Sequence, residues 1–597
     1  MSEYIAPVRD MQFVLKELAG LEQVAQLPGY EEATPDLVDA VLEEAAKFAE
    51  GILSPLNWPG DQEGARWHEK AVTMPAGFKE AYKLFADSGW TALAAETEWG
   101  GQGLPKLVSA AVSEMWKAAN HSFSLCPLLT AGAIEALVLT GSEELKAIYL
   151  EKMVSGQWTG TMNLTEPSAG SDLAAVRTRA EPQADGSYLI FGQKIFITYG
   201  EHDMAENIIH LVLARTPTAP EGVKGISLFV VPKFLVNDDG SLGARNDAYC
   251  VSIEHKLGIH ASPTAIMAFG DHSGAIGYLV GEENRGLEYM FIMMNAARFG
   301  VGLEGVAVCE RAYQRARDYA RDRIQCTDIG VRGGPKVPII QHPDVRRMLM
   351  TMKSHAEAAR ALAYVVAAAH DAAIRHPDAT TRQRNQAFVD LMIPVVKGWS
   401  TESGVTMASI GVQVHGGMGY VEETGAAQHL RDAQISTIYE GTTGIQANDL
   451  IGRKMAREGG ATLKTVIAAI RALDAELAAS TGAHLAAIRR RLSAAVDALA
   501  VAGDWLVANY GRDVRAASAG AVPFLKLLGI VAGGWQMARA ALIARANIDA
   551  GDSDPFYPAK IITARFYADH VLSAAAGLAS SVTEGAEGVM ALPEDMF

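Results

Sequence analysis

The feature that most constrains this chain is a change of texture near residue 160 and its reversal near residue 281. Before the first change, apolar residues recur at helical spacing. Thr34-Pro35-Asp36 offers a capping hydroxyl and a proline at the first helical position, and Val38, Val41, Leu42, Ala45, Ala46 and Phe48 follow as a stripe. Phe78 to Ala86 and Leu107 to Ala119 read similarly, and Gly100-Gly101-Gln102-Gly103 reads as a loop. After the change come short β-rich runs set apart by Gly, Asp and Pro. They are Tyr188 to Phe191, Lys194 to Tyr199, Asn207 to Ala214, Gly225 to Val231, Tyr249 to Ile253, Thr264 to Phe269 and Ala275 to Val280. Such runs imply a small antiparallel barrel or sandwich. Helical spacing then returns in two long stripes, Gly286 to Gln325 and Val345 to Ala373, as in paired helices of a bundle. Beyond Gly459 the chain is Ala-rich, with stripes at Leu463 to Leu477 and Ile488 to Leu506. The expectation is a mainly α chain with a central β domain. Its domains are an N-terminal helical one over 1–160, a β domain over 161–280, a helical bundle over 281–458 and an extra helical domain over 459–597.

Charge narrows the function. Lys and Arg total 52 against 69 Asp and Glu, a net charge of −17. A surface this negative repels phosphate backbones and argues against nucleic-acid binding, while leaving room for a local basic pocket. Cys126, Cys250, Cys309 and Cys326 have no metal-ligand spacing, so buried or inert thiols in a reducing cytoplasm are expected, with no metal site. The start, Met1 to Pro7, lacks the layout of a secretion signal or an Arg-rich transit peptide. The apolar stretch Leu527 to Ala538 is too short to cross a bilayer and no other segment of about 20 residues stands out, so no integral membrane association is expected.

Four segments carry candidate chemistry. Gly300-Val301-Gly302-Leu303-Glu304-Gly305 has the GxGxxG pattern but lies inside a helical stretch, where small residues serve close helix packing rather than a nucleotide loop. Leu164 to Asp172 is a polar, turn-rich loop whose hydroxyls and free N–H groups suit a pyrophosphate or flavin edge; taken alone, an ordinary turn with Gly170 at positive φ is the simpler account. Gly192 to Gly200 contains Phe196 and Thr198, which strand alternation places on one face; they suit a stacking wall and a donor, or a core Phe beside a sheet Thr. Finally, Gln413 to Tyr420 precedes Arg431-Asp432-Ala433 and Tyr439-Glu440-Gly441-Thr442. Ile435, Ile438 and Tyr439 surround Glu440 with apolar groups, which suits a general base of raised pKa; a glutamate at a helix start, favoured by the dipole, fits the same residues.

Thr165 to Asp172, Gly192 to Gly200, Tyr319-Ala320-Arg321-Asp322-Arg323-Ile324-Gln325, Gln413 to Tyr420 and Tyr439 to Thr442 occur in the order and rough spacing of the acyl-CoA dehydrogenases, which this chain resembles, and the α, β, α order matches that fold. The resemblance covers about residues 35 to 455. Length, the Ala-rich tail and the opening Tyr4 to Phe13 resemble the large bacterial subgroup, which includes 3-methylmercaptopropionyl-CoA and broad-range fatty acyl-CoA enzymes.

The resemblance implies α,β-dehydrogenation of an acyl-CoA thioester to a trans-2-enoyl-CoA. FAD takes the β-hydride and passes electrons to an electron-transfer flavoprotein. It makes Glu440 the base and its backbone N–H a donor to the thioester oxygen. Other branches carry the base just before an Arg on the long helix; here that position is Ala297, before Arg298. Arg298 then orients the Glu440 loop or the substrate, unless it is simply a surface arginine. Met162, Leu164, Thr165, Ser171, Phe196, Thr198 and Thr442 fall around the flavin, and Ser171, Arg298, Tyr439 and Gly441 around the substrate. Phe196 replaces a common Trp, Ser168 a common Gly, and Cys326-Thr327-Asp328 a common Phe-Gly. Arg323, Gln413 and Gly417 match elements that hold FAD from a neighbouring subunit. If one helix carries Arg298 and Arg323, they lie about 37 Å apart, too far for one compact site. A homodimer at least is therefore expected, with the C-terminal domain on the face that smaller relatives use to form tetramers. His260 reads as a turn residue. An acyl-CoA oxidase using O₂ and a non-catalytic scaffold are the alternative readings.

Overall fold

The computed structural model describes residues 4–597. The chain divides into two compact units: one is Lys47–Leu104 with Ala119–Ala297, the other runs to Ala46 and then comprises Pro105–Ala118 and Arg298–Phe597.

The first unit is built on an eight-stranded sheet. Its strands are β1 (Trp158–Asn163), β2 (Arg179–Pro182), β3 (Tyr188–Thr198), β4 (Asn207–Ala214), β5 (Ser227–Pro232), β6 (Ala248–Ile253), β7 (Thr264–Phe269) and β8 (Ala275–Val280). The spatial order is β6-β7-β3-β8-β5-β4-β1, with β2 on β3. Two expected runs, Tyr188 to Phe191 and Lys194 to Tyr199, are one strand. The sheet is not wholly antiparallel as expected, because β1 pairs parallel to β4. A parallel pair needs a long crossover, and local alternation cannot show one. Every residue of β4 is buried, as in a strand covered on both faces. Leu137, Tyr149, Met153 and Trp158 share a core with Ile209, Leu211, Leu228 and Val230, so the helices His121–Thr140 and Glu143–Val154 pack on the sheet.

The second unit is helical. Its bundle is formed by α1 (Gly286–Asp322), α2 (Pro343–Arg375) and α3 (Ala379–His415), and the boundary between units falls within α1. Cys309, Ala312, Ala316, Met352, Ala356, Met407 and Val414 are part of one bundle core. The GxGxxG segment lies inside α1, as the helical pattern implied. A Cβ on Gly302 would come within 2.6 Å of Val396, and one on Gly305 within 2.3 Å of the Ser400 backbone. These glycines let α1 and α3 touch backbone to backbone. The Ala-rich end folds into α4 (Ala461–Ala479), α5 (Ala483–Tyr510), α6 (Ala521–Asp549) and α7 (Phe556–His570).

A buried charge cluster ties distant parts of this unit. Arg360, only 1% exposed, donates to Glu114 (Nε–Oε1 2.9 Å), Glu310 (2.8 Å) and Asp10 (2.7 Å), and Tyr364 donates to Glu114 (2.7 Å). Lys560 bonds Glu357 at 2.8 Å and also reaches Asp10. One guanidinium thus joins the N-terminal segment, the helix Lys106–Ala119, α1 and α2, and Lys560 brings α7 into the same cluster.

One expectation needs correction. Four helices are long and apolar enough to cross a membrane: His121–Thr140, α1, α5 and α6. Their most apolar windows are 61%, 72%, 39% and 78% buried inside the protein. Hydropathy alone cannot separate a helix enclosed by protein from one enclosed by lipid. Cys126, Cys250 and Cys309 are buried, but Cys326 is exposed on a short hairpin. Among the described residues no cluster of His, Cys, Asp and Glu is placed to hold a metal ion.

Arg360→Met leaves three carboxylates facing one another in a dry interior. It is expected to destabilise the helical unit by about 3–5 kcal/mol, read as a lower urea midpoint with an unchanged slope. Gly305→Ala forces a methyl group onto the α3 backbone and should cost about 1–3 kcal/mol, read as a lower thermal midpoint.

Candidate active site

In the helical unit, the short 3₁₀ turn Ile435–Thr437 leads to Glu440, and Thr442 caps the helix Thr443–Asn448 by accepting from the Ile445 N–H at 3.3 Å. Glu440 and Gly441 between them both have positive φ, 55° and 92°. A glutamate in the left-handed region costs about 1–3 kcal/mol and persists only where its surroundings enforce it. Here three side chains do so. Arg298 Nε donates to the Glu440 carbonyl at 3.4 Å, Gln446 Nε2 donates to the same carbonyl at 3.1 Å, and Lys397 Nζ donates to the Gly441 carbonyl at 2.8 Å. The Glu440 N–H has no acceptor among the described residues.

The carboxyl of half-buried Glu440 is pushed up to about 7 by desolvation, although Arg298 and Lys397 pull it down; Glu304 adds to the rise. Desolvation likewise lowers Lys397, to about 8, against the pull of Glu304 and Glu440. Arg298 is buried and faces Asp449 at 3.6 Å, so it is not a surface arginine. Its bond to the Glu440 carbonyl matches the loop-orienting alternative. The Tyr439 hydroxyl, of a residue expected near substrate, donates to Glu304. Sequence reasoning missed Lys397, Glu304 and Gln446. None lies in a recognisable motif for this role; a lysine in the apolar stretch Val395-Val396-Lys397-Gly398-Trp399 was the one available signal.

The β unit holds the other candidates. Along β3, Ile197 pairs with Ala265 and Lys194 with Met267, so two residues of β3 oppose one of β7. Phe196 sits in this bulge with φ 58°, and 58% of it is exposed. The bulge, rather than simple alternation, presents its ring. Thr198 is half-buried two residues on. The Leu164–Asp172 loop is anchored beside this bulge. Lys194, wholly buried, donates to the Leu164 carbonyl at 3.0 Å and to Glu166 at 2.8 Å. Glu166 also accepts from the Arg177 and Thr178 N–H groups at 2.7 and 3.1 Å, and the Ile195 N–H bonds the Thr165 carbonyl at 2.9 Å. Met162 and Thr165 are half-buried, Ser171 is exposed, and the Leu164 side chain belongs to the core. Gly170 is not at positive φ, and a Cβ there would meet nothing within 4 Å, so the ordinary-turn explanation of that glycine fails. An exposed aromatic ring held on strained backbone, beside a loop with hydroxyls at Thr165 and Ser171, fits the face and edge of an isoalloxazine.

Arg323 follows the last residue of α1 and is exposed, as are Gln413 and Gly417 at the end of α3. Gln413 lies roughly 24 Å along α3 from Lys397, so these residues do not join the Glu440 cluster. His260 bonds the Lys256 carbonyl at 2.9 Å and pairs with Asp61 at 3.2 Å, as a turn residue does.

Residues 38–157, 161–271 and 284–456 match the acyl-CoA dehydrogenase N-terminal, middle and C-terminal domain models, and 462–593 match an acetyl-CoA dehydrogenase C-terminal-like model. The chain is 51% identical to the 3-methylmercaptopropionyl-CoA dehydrogenase of Ruegeria pomeroyi, over 98% of this chain and 99% of that one. It is 36% identical to a broad-specificity linear acyl-CoA dehydrogenase of Mycobacterium tuberculosis, over 96% of both. An acyl-CoA dehydrogenase from Bacillus anthracis, solved with FAD, shares the fold at a TM-score of 0.74 and 21% identity, covering 98% of this chain and 93% of that one. This chain belongs to the acyl-CoA dehydrogenase family and is an FAD-dependent oxidoreductase.

Proposed function

We propose that this chain removes the α-proton and β-hydride of an acyl-CoA thioester, with Glu440 as general base. The observation that carries this reading is the Glu440 turn: a strained glutamate with a carboxyl raised to about 7 and a backbone N–H with no acceptor among the described residues. A base of that pKa is half ionised near neutrality and strong enough to take a proton from the carbon beside a thioester. The Glu440 N–H donates to the thioester oxygen as enolate-like charge develops there. FAD would supply the hydride acceptor; Met162, the Leu164 backbone, Thr165, Ser171, Phe196, Thr198 and Thr442 would hold it, and Ser171, Arg298, Tyr439 and Gly441 would meet the substrate. Electrons leave to an electron-transfer flavoprotein, in the cytoplasm.

The 51% identity over nearly the whole of both chains favours 3-methylmercaptopropionyl-CoA as substrate, with short to long fatty acyl-CoAs as further candidates. Apolar pockets separate such isosteres by only about 1–3 kcal/mol. Anaerobic bleaching of the yellow flavin by a panel of acyl-CoAs that includes the thioether tests this. The thioether is expected to bleach fastest. In Glu440→Gln the flavin stays bound while bleaching slows by at least ~10²-fold; unimpaired bleaching there would mean that another group is the base.

We further infer that the working enzyme is at least a dimer. Arg323, Gln413 and Gly417 are exposed and remote from the Glu440 cluster, which suits contact with the FAD of a neighbouring copy. Light scattering on the flavin-loaded protein should give twice the chain mass or more, and a monomer that keeps FAD and full activity would refute the shared site.

A further inference from the structure

Lys397 is fully buried in the middle of α3, where an unpaired ammonium group would be costly. Among the described residues its one side-chain hydrogen bond is to the Gly441 carbonyl. The charged groups around it come from three elements: Arg298 and Glu304 on α1, Glu402 five residues on along α3, and Glu440 in the turn. Glu304 is itself engaged by Tyr439, and Glu402 accepts from Thr443 at 2.5 Å, so both acids also touch the segment around Glu440. Asp449 lies beyond Arg298 and pairs with it and with Arg453.

We propose that Lys397 is a positioning residue for the base. Its ammonium group holds the left-handed Glu440–Gly441 turn through the Gly441 carbonyl and supplies a positive charge that favours the ionised form of the Glu440 carboxyl. The inference rests on reading Glu440 as the base. The geometry assigns the two duties to different properties of one side chain: the donor fixes the turn, and the charge acts on the carboxyl. Arg298 shares the second duty and, with Gln446, holds the preceding carbonyl; Gln446 also reaches the Gly441 carbonyl, but at 3.4 Å against 2.8 Å for Lys397, so the lysine makes the closer contact there. The direction of the electrostatic effect is definite. Lys397 favours the anion, so removing it raises the Glu440 pKa and moves the acid limb of the rate to higher pH.

Lys397→Gln and Lys397→Met separate the duties, because glutamine keeps a donor without charge and methionine keeps neither. The measurement is the anaerobic flavin-bleaching rate with a fixed acyl-CoA between pH 5.5 and 9, on flavin-loaded full-length protein. Both variants should retain the flavin spectrum and shift the acid-limb midpoint upward by about one pH unit. Lys397→Met should in addition lose about tenfold in the high-pH plateau, while Lys397→Gln keeps most of it. A midpoint unmoved in both variants overturns the proposal. So does failure of both to fold or to hold flavin, which would make Lys397 a determinant of the fold. Glu440→Gln, run alongside, distinguishes the two failures: full bleaching there refutes the base itself, whereas lost bleaching with unmoved Lys397 midpoints refutes the Lys397 inference alone.

Discussion

The arrangement around Glu440 depends on one close contact, the crossing of α1 and α3 at Gly302 and Gly305. With no side chain at either position, Val396 and Ser400 approach the α1 backbone directly. On α1, Arg298 is one turn before Gly302, and Glu304 lies beside Gly305. On α3, Lys397 lies between Val396 and Ser400. The crossing therefore places two cations and a carboxylate around one short turn. A larger side chain at Gly305 would press on the α3 backbone itself, which cannot swing aside as a side chain can.

That placement resolves an electrostatic conflict. Burial alone raises a carboxyl far enough to leave it protonated and useless as a base. Two cations at close range would pull it down to an ordinary surface value. Here desolvation and Glu304 raise Glu440 while Arg298 and Lys397 lower it, and the balance falls at about 7. The same burial weakens Lys397, to about 8, so each group is held near neutrality by the others. A base that must accept a proton and later release it is served by such a balance. The strained backbone belongs to the same device: the side chains that tune the carboxyl also bond the carbonyls that hold its turn.

Local pattern revealed much of this, and long-range contact the rest. The α, β, α order was legible because helical and alternating periods differ over short windows. Glu440 was legible as a candidate because it sits in a motif with an apolar flank and a glycine after it. The rejection of Gly300 to Gly305 as a nucleotide loop followed from its helical surroundings, and the structure gives those glycines a packing role. Lys397 and Glu304 were not legible, since they lie on helices separated by all of α2 and meet only through packing. The parallel pairing of β1 with β4 and the bulge at Phe196 were hidden for the same reason: both are properties of partner strands. The apolar helices were misjudged because burial in protein and burial in lipid select similar residues.

The C-terminal helices belong to this arrangement rather than being appended to it. α6 carries Gly529 and Gly533 where a Cβ would come within 2.3 and 2.7 Å of Trp399, and Leu525 of the same helix lies 2.9 Å from the Cβ position of Gly398. Residues 396–400 of α3 are thus packed tightly by α1 through Val396 and Ser400 and by α6 through Gly398 and Trp399, with Lys397 in the same turn. In α7 the Tyr567 hydroxyl bonds the Ile530 carbonyl of α6 at 3.0 Å, and Lys560 enters the buried Arg360 cluster, so α6 is itself held from behind. A segment gripped from two sides has little freedom to slide or rotate. A lysine ammonium that must meet one carbonyl at 2.8 Å needs that rigidity, because a displacement of one ångström would break the bond and leave a charge buried without its acceptor.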